Sequence, residues 1–409
     1  MSWVNRAYAR VAYATVGVSE FQQKTRPPRK ARANPLARRP PATRLAGSGR
    51  PRTEPAKSGA EDGLTGADWD VAIIGAGAAG CAAAISLPAG ARAILVDRGV
   101  PGVGRCCGGL LAPDGRRALE DIGLRLPESV RVEPEPHLVR VHDMDSGLQQ
   151  TYRRRYCNLD RARFDAWLLD QAARRADFRP RTRLVALEQS GAAWRVRLAS
   201  GGREESVTTG LVIGADGAAS SVRRLAMPNR PGPRTMLAMQ VRLETDSPPS
   251  AHLVLFASRL TDFYAWAIPK PGSVLVGCAF SRPRGANWRF REILLWYARS
   301  LGVAPDAVER SARRLSRPAA RAELSAGAGG ALLAGEAAGL VSPSSGEGLS
   351  LAIESGAAAG RAVAAEVPQA AYDRAFRRPA RRVALKLIKA RVIFSPLLRR
   401  LALRLPWCP

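Results

Sequence analysis

The sequence contains little that would support a disulfide framework, a metal site or a membrane span. Its 409 residues include six cysteines, none of which forms a C-x-x-C pair, and this argues against a disulfide scaffold or a zinc centre. No apolar run reaches the roughly 18 to 20 residues that cross a bilayer, and no early apolar segment is followed by a cleavage pattern. We therefore expect a reduced, cytoplasmic protein without a metal.

Acidic residues are also scarce, and the basic excess is concentrated at the two ends. The chain has 63 lysine and arginine residues against 35 aspartate and glutamate residues, a formal net charge of +28. Residues 1–60 hold 13 basic and two acidic residues, and residues 371–409 hold 11 and one. Basic ends suit nucleic acid, anionic lipid or solubility. Because the sequence has no nucleic-acid-binding module, no nucleic-acid partner is expected.

The N-terminal residues 1–67 are rich in arginine, proline, alanine, serine and glycine. The segment Thr25–Ala56 has too little apolar surface to fold alone, so we predict a disordered basic extension over residues 1–67. Arg6 and Arg10, with no acidic residue before Glu20, loosely resemble an organelle transit peptide. A plain tail, or an extension from a misplaced start codon, is the favoured interpretation.

The C-terminal residues 367–409 are predicted to form a basic helical segment. Leucines at 397, 398, 401 and 405 share one helical face, and arginines at 399, 400 and 404 share the other. Such a helix either lies on an anionic membrane or docks on the protein with its arginines in solvent. The first alternative predicts a membrane contact through residues 383–405, at the inner face of the membrane.

A nucleotide-binding unit is predicted near residue 75. The apolar run Val71–Ile74 is followed by Gly75, Gly77 and Gly80 in G-x-G-x-x-G spacing, then by small helix-forming residues and a second apolar run that ends at Asp97. This strand–turn–helix–strand order binds a dinucleotide, because the glycines admit the pyrophosphate to a helix N-terminus and the carboxylate accepts bonds from a ribose.

Two further turns have the same character. The apolar run Leu211–Ile213 leads into G-x-D-G with Asp216, and Ala331–Ala334 leads into Gly335-Glu336 and a glycine-flanked helix start near Gly348. A carboxylate beyond the end of a buried strand is well placed for a ligand, and a helix N-terminus holds negative charge.

Other stretches have both a structural and a functional interpretation. Cys106 and Cys107 precede Gly108-Gly109, in a loop able to lie against a planar ligand. Arg161 or Arg163 begins a helix, where it could reach a phosphate or face solvent. Residues from about 236 to 280 alternate as in an antiparallel sheet with one covered face, and Tyr264, Trp266 and Ile268 share one strand face as core or pocket wall. Residues 288–316 are predicted to be helical.

Three separated motifs carry a family resemblance. GAGAAG with Asp97, GADG at 214–217, and GEAAG…P…GEG at 335–348 resemble the FAD-binding signatures of flavoproteins related to p-hydroxybenzoate hydroxylase. The segments RCCGGLLAPD, YAWAIP and GEAAGLVSPSSGEGLSLAIESG are most similar to the geranylgeranyl reductase family, in its CbrA-type branch. The resemblance extends from about Asp70 to the C-terminus.

The resemblance implies an α/β fold with an α+β substrate domain. A Rossmann-like FAD-binding domain would comprise residues 68–135, 158–233 and 319–366. An inserted antiparallel sheet that binds substrate would comprise residues 136–157 and 234–318, followed by the helical segment 367–409.

The resemblance also implies site residues. Cys107 and Tyr264 are the tentative catalytic residues, and Tyr264, Trp266 and Pro269 would contact substrate. Glu336 stands where an aspartate is usual. The cofactor would be bound by Gly75, Gly77, Ala79, Gly80, Asp97, Arg98, Arg105, Gly108, Arg161, Asp216, Gly335, Glu336, Gly346, Gly348 and Leu349.

The implied activity is reduction of carbon–carbon double bonds in a prenyl or other lipid, by hydride from flavin N5. The electron donor would be NAD(P)H or a reduced ferredoxin-like carrier. Two alternatives stay open: a flavin monooxygenase acting on an aromatic or polyketide compound, with a halogenase as its lesser variant, and a non-catalytic flavin-bearing protein that interacts with lipid.

Overall fold

The computed structural model describes residues 67–99 and 106–405. The predicted extension up to residue 66, Arg105 and Cys408 lie outside the described residues. The strands in chain order are β1 (Trp69–Ile74), β2 (Ala93–Val96), β3 (Leu110–Leu111), β4 (Leu138–Asp143), β5 (Gln149–Arg153), β6 (Cys157–Asn158), β7 (Asp177–Arg179), β8 (Thr182–Ser190), β9 (Ala193–Ser200), β10 (Arg203–Gly214), β11 (Thr235–Glu244), β12 (His252–Phe256), β13 (Ala265–Lys270), β14 (Ser273–Phe280), β15 (Ala307–Ser316), β16 (Gly327–Ala328) and β17 (Ala331–Leu333).

The helices connect these strands and close the C-terminal end. The α-helices are α1 (Ala78–Ile85), α2 (Pro113–Glu120), α3 (Arg161–Ala173), α4 (Ser221–Ala226), α5 (Ala286–Leu301), α6 (Leu349–Ala362), α7 (Pro368–Phe394) and α8 (Pro396–Ala402). Short 3-10 turns occupy Glu128–Val130, Arg321–Glu323 and Gly335–Ala338.

A largely parallel sheet carries the three motif turns. Its order is β16-β17-β10-β1-β2-β7, with β17, β10, β1, β2 and β7 parallel, and β9 and β8 extend from β10 as antiparallel strands. The central strands are buried apolar runs, as expected of parallel strands covered on both faces. Because β1, β2, β10 and β17 run the same way, the turns that follow them meet at one edge of the sheet.

Helices α1 and α6 pack against each other at backbone distance. A Cβ added at Gly356 would lie 2.0 Å from the carbonyl oxygen of Ala79, and one at Gly360 would lie 2.1 Å from that of Ala83. Only glycine leaves room for this approach. The glycines of α6 therefore allow it to pack directly against the small residues of α1. Both helices begin at the same sheet edge.

The second sheet has the order β15-β11-β14-β13-β12-β4-β5 and is antiparallel except for the β12–β4 pair. Helix α5 covers one face, where Phe290, Ile293 and Tyr297 pack on Val276 and Phe280. The opposite face carries Tyr264 and Trp266. These two sheets and the helical C-terminus confirm the predicted α/β fold class, whereas the domain boundaries stay a prediction.

The helix predicted over residues 288–316 is wrong in its second half. Helix α5 ends at Leu301, because Gly302 adopts a left-handed conformation with φ of +66°. The following β15 pairs with β11 along the sheet edge. The exposed Arg310, Arg313 and Arg314 suit an edge strand, and this concentration of charge was the signal available in the sequence.

Helix α7 is tied to the parallel sheet and to α2. The hydroxyl of the buried Tyr372 donates to the carbonyl oxygen of Leu333 in β17 at 2.6 Å. Farther along, the Arg382 guanidinium forms ion pairs with Asp114 and Glu354. Within the described residues, no helix has the length and apolar character needed to cross a membrane.

Helix α8 docks on the protein with one arginine inward, which corrects one detail of the second alternative, in which the docked helix would keep its arginines in solvent. Arg399 is 3% exposed and donates to Asp143 at 2.9 Å and to Asp145 at 2.5 Å. Its guanidinium also lies over the Phe256 ring, 4.7 Å from the centroid. The buried Asp143 carboxylate at the end of β4 requires a cation, and this long-range pair overrides the local amphipathic pattern.

We expect Arg399→Gln to lower the free energy of unfolding by about 3–5 kcal/mol, because it leaves the Asp143 carboxylate buried without its charged partner. The matched control is Arg400→Gln, whose side chain is exposed and which should shift stability by no more than about 0.5 kcal/mol. Urea unfolding followed by tryptophan fluorescence measures both. Equal midpoints for the two variants would contradict the assigned role of the pair.

Candidate functional site

A cavity of about 710 Å³ lies where the three motif turns meet the second sheet. This volume is within the range of small-molecule sites. Many of the predicted cofactor residues line it, namely Gly75, Gly77, Ala79, Asp97, Arg98, Gly108, Arg161, Asp216, Glu336, Gly346, Gly348 and Leu349. Gly80 and Gly335 lie behind its wall, and Arg105 lies outside the described residues.

The first turn is held by close backbone contacts. Gly75 has a φ of +106°, and a Cβ there would approach the carbonyl oxygen of Ala215 to 2.5 Å. A Cβ at Gly80 would lie 1.8 Å from the carbonyl oxygen of Gly75. Gly77 is the N-cap of α1 and supplies no side chain to its first N–H groups. The turn therefore leaves a helix N-terminus open to the cavity, as a pyrophosphate requires.

Asp97 is positioned by the backbone at the end of β2. Its two carboxylate oxygens accept hydrogen bonds from Ala76 N and Gly99 N, each at 2.8 Å. Each oxygen retains further acceptor capacity toward the cavity. This arrangement fits a ribose diol, and together with the open turn it shows that the residues present suit an adenine dinucleotide such as FAD.

Asp216 has a second role that its motif did not indicate. Its carboxylate accepts hydrogen bonds from the Ser220 hydroxyl, Ser221 N and Val222 N, so it holds the turn at the start of α4. Burial raises the pKa of this carboxyl, and these hydrogen bonds act in the opposite direction. Its contact with a cofactor stays a prediction.

The third turn presents another open helix N-terminus. Gly348 is the N-cap of α6 and provides no capping side chain, and Gly346 has a φ of +66° and packs near Phe263. Glu336 also lines the cavity, and its Oε2 accepts a hydrogen bond from Ser316 N at 3.5 Å. The turn therefore adds N–H groups and a carboxylate to the wall opposite Asp97.

Cys107 lies next to a partly buried cation. Arg161 donates to the Cys107 sulfur at 2.7 Å and to Asp165 at 2.9 Å. The predicted phosphate ligand is therefore engaged with a thiol and a carboxylate at the start of α3. Cys106 and Cys107 are both free thiols, and burial raises the pKa of Cys106 to about 11, so Cys106 keeps its proton at neutral pH.

The second sheet supplies an aromatic wall. Tyr264 stacks on Phe263 at 4.5 Å and meets the edge of Trp266 at 5.9 Å, and both Tyr264 and Trp266 line the cavity. The Tyr264 hydroxyl donates to Ser345 O at 2.6 Å, and burial raises the pKa of this phenol. Pro269, predicted to contact substrate, is buried behind the wall, where its carbonyl accepts from Asn158.

The sequence analysis did not identify a polar cluster centred on Glu347, between Gly346 and Gly348 of the third turn. Glu347 accepts a hydrogen bond from the Tyr156 hydroxyl at 2.5 Å and pairs with Arg154 at 3.0 Å. His252 is 7% exposed and lies edge-on to Tyr156 at 6.0 Å. Neither ring nitrogen of His252 has a hydrogen-bond partner among the described residues. The signal available was a histidine within the apolar run that forms β12.

A second cavity of about 120 Å³ adjoins the first and lies beneath α7 and α8. The two cavities share Tyr156, His252, Tyr264, Ser345 and Glu347. The second cavity is otherwise lined largely by apolar and basic side chains, among them Val141, Val254, Phe256, Lys386, Ile393 and Leu403. The site is therefore polar where the motif turns meet, and toward the C-terminal helices its wall becomes mostly apolar with several basic side chains.

Comparison with known proteins defines the class. The family described as an FAD binding domain matches residues 68–377, so the chain belongs to this family of FAD-dependent oxidoreductases, as the motifs predicted. Its relatives include protein CbrA of Escherichia coli O9:H4 (strain HS), 32% identical over 343 residues that cover 82% of this chain and 93% of CbrA.

Two solved structures share the fold. A geranylgeranyl bacteriochlorophyll reductase-like protein from Thermoplasma acidophilum superposes with a TM-score of 0.69 at 18% identity, covering 81% of this chain and 90% of that one. PqsL, a probable FAD-dependent monooxygenase from Pseudomonas aeruginosa, superposes with a TM-score of 0.63 at 20% identity, covering 82% and 98%. At these identities the likeness shows the fold alone.

We expect Asp97→Asn to weaken FAD binding by about 10- to 100-fold, since a hydrogen bond to a charged group contributes about 1.5–3 kcal/mol. The control is Asp70→Asn, because Asp70 is a carboxylate of β1 paired with the exposed Arg92. Flavin content after purification and titration of the apoprotein with FAD measure the effect. Equal affinities in the two variants would exclude Asp97 from the site.

His252 should make the fold sensitive to acid. Burial lowers its pKa to about 4, with Arg154 contributing, so the unfolded chain binds a proton here more readily than the folded chain. Stability should therefore fall as the pH decreases from about 6.5 to about 4, by at most about 1.4 kcal/mol per pH unit. Urea midpoints across this range should fall less steeply for His252→Gln than for the unmodified protein, and parallel profiles would refute the assignment.

Proposed function

We propose that this FAD-dependent oxidoreductase reduces carbon–carbon double bonds in a prenyl chain or a similar lipid. The observation that carries the proposal is the change from a polar lining to a mostly apolar one along the site. The cavity edge formed by the motif turns is polar, the opposite wall is aromatic, and the adjoining cavity beneath α7 and α8 is apolar over most of its wall, with basic side chains among its lining residues. An elongated apolar substrate suits such a path better than a compact polar one does.

FAD, when bound, would supply hydride to one carbon of the double bond. The motif turns would hold it through Gly75, Gly77, Asp97, Glu336 and Gly348. The protein must then exclude water, align the alkene and supply a proton to the second carbon. Within the described residues, the aromatic wall formed by Trp266 of β13 and by Phe263 and Tyr264 just before it is suited to the first two tasks.

Cys107 is the proton donor that the geometry favours. Its sulfur lies 2.7 Å from the Arg161 guanidinium, so the thiolate left after proton transfer would be stabilised by an adjacent, partly buried cation. Tyr264 is the less favoured candidate, because its hydroxyl proton is directed to Ser345 O and the phenol is buried without a comparable cation. In this proposal Tyr264 shapes the wall.

A monooxygenase acting on an aromatic compound is the second candidate. It is supported by the ring cluster of Phe263, Tyr264 and Trp266 and by Trp266 Nε1, which has no hydrogen-bond partner among the described residues. The electron donor for either reaction is proposed to be NAD(P)H or a reduced ferredoxin-like carrier.

The test combines dithionite-reduced holoprotein with geranylgeranyl lipids and follows the addition of two hydrogen atoms per double bond by mass spectrometry. Cys107→Ser should slow single-turnover reduction by about 10²- to 10⁴-fold, the usual contribution of a general acid, with flavin content unchanged. Cys106→Ser is the matched control and should remain active, and Tyr264→Phe should lose less than about 10-fold.

An unreduced lipid in the presence of intact, reduced flavin would overturn the reductase proposal. NAD(P)H-driven oxygen consumption that rises with an aromatic compound would replace it with the second candidate. If instead Cys107→Ser keeps full activity and Tyr264→Phe loses it, the reductase proposal survives with the proton donor reassigned.

A further inference from the structure

We propose that the outward faces of α7 and α8 form a docking surface for an anionic lipid bilayer. Among the described residues, nine large apolar side chains are exposed, and six of them lie between residues 385 and 405. They are Leu385, Ile388, Leu397, Leu398, Leu401 and Leu405, exposed by 60%, 62%, 75%, 46%, 60% and 64%. Such a concentration of apolar surface marks an interaction site.

The orientation of α8 about its own axis is fixed by the contacts of Arg399. At 100° per residue, Leu397, Leu398 and Leu401 cluster on one side of the helix, and Arg399 lies nearly opposite. Arg399 is held inward by Asp143 and Asp145 and also donates to Ile393 O at 2.9 Å. Because the buried ion pair determines the inner face, the leucines are directed away from the protein.

The basic residues around the exposed leucines indicate that the partner of this surface is an anionic bilayer. From residue 371 onward the chain has 11 lysine and arginine residues and one acidic residue, and Arg400 and Arg404 are exposed beside the leucines. A basic helix with an outward apolar face binds anionic lipid, to which each basic residue near the surface adds about 1 kcal/mol. A second copy of this chain would bring the same positive surface into the contact, which disfavours self-association.

The surface also adjoins the second cavity. Ile393 and Leu403, on the tail helices, line that cavity, and its other end shares Tyr264 and His252 with the main cavity. A lipid chain leaving the bilayer at α8 would therefore have a mostly apolar route to the main cavity, which it would enter between Tyr264 and the polar cluster of Tyr156 and Glu347. This last step rests on the proposed function, whereas the docking surface itself does not.

The test measures co-sedimentation of the holoprotein with vesicles of phosphatidylglycerol and phosphatidylcholine, and with vesicles of phosphatidylcholine alone. We expect binding to the anionic vesicles, weakened by salt. The double variant Leu397→Ser/Leu401→Ser and the double variant Arg400→Glu/Arg404→Glu should each reduce binding by at least about 10-fold, because they remove the apolar and the electrostatic contributions respectively. Trp288→Ser is the matched control, since Trp288 is 58% exposed but lies on α5, and it should bind as the unmodified protein does.

Three results would overturn the docking proposal: no preference of the unmodified protein for anionic vesicles, undiminished binding by the leucine variant, or a dimer that the leucine variant dissociates without any change in vesicle binding. Flavin content and circular dichroism confirm that each variant is folded. The vesicles contain no prenyl lipid, so co-sedimentation is independent of the reductase assay. Vesicle binding together with no reduction in the separate geranylgeranyl assay would leave this surface established and reject only the proposed reaction.

Discussion

The structure depends on the approach of Gly80 to the carbonyl group of Gly75. This contact admits no side chain, and it turns the chain sharply enough for α1 to begin directly above the end of β1. Gly356 and Gly360 extend the same constraint to the next layer, where α6 rests on the backbone of α1. Two helix N-termini are thereby brought to one edge of the sheet. A bulky residue at any of these positions would separate the turns that together form the polar half of the site.

The motif turns were predictable because their information is local. Spacing within the segment from Gly75 to Asp97 is enough to predict a turn, a helix and a carboxylate, and parallel strands then bring the three turns together. Features that depend on distant partners were not predictable in this way. Arg399 is buried because of a carboxylate 256 positions earlier in the chain, and Glu347 is engaged by Tyr156, 191 positions earlier. In both cases the local pattern, an amphipathic helix or a glycine-rich turn, gives no indication of the partner.

The two sheets supply chemically different groups to the site. The parallel sheet offers N–H groups, helix N-termini and carboxylates, which suit a charged cofactor. The second sheet offers aromatic rings from the start of β13 and the residues just before it, and a neutral histidine from β12, which suit an apolar ligand with few polar groups. The junction is marked by Cys107, held by Arg161, and by Tyr264, held by Ser345 O. Reactive groups thus lie between a polar and an apolar compartment, which are the conditions that a redox cofactor and a lipid would each require.

Helix α7 is fastened near its start by Tyr372 to β17 and near its middle by Arg382 to Asp114 and Glu354, and α8 is then fastened to β4 by Arg399. Helices α7 and α8 are therefore fixed to the rest of the protein and do not act as a flexible linker. A flexible C-terminal segment would leave the orientation of the rest of the protein free when the segment is bound, whereas helices fixed to the protein determine that orientation. For the docking surface proposed above, these three contacts would set a single angle between the protein and the bilayer.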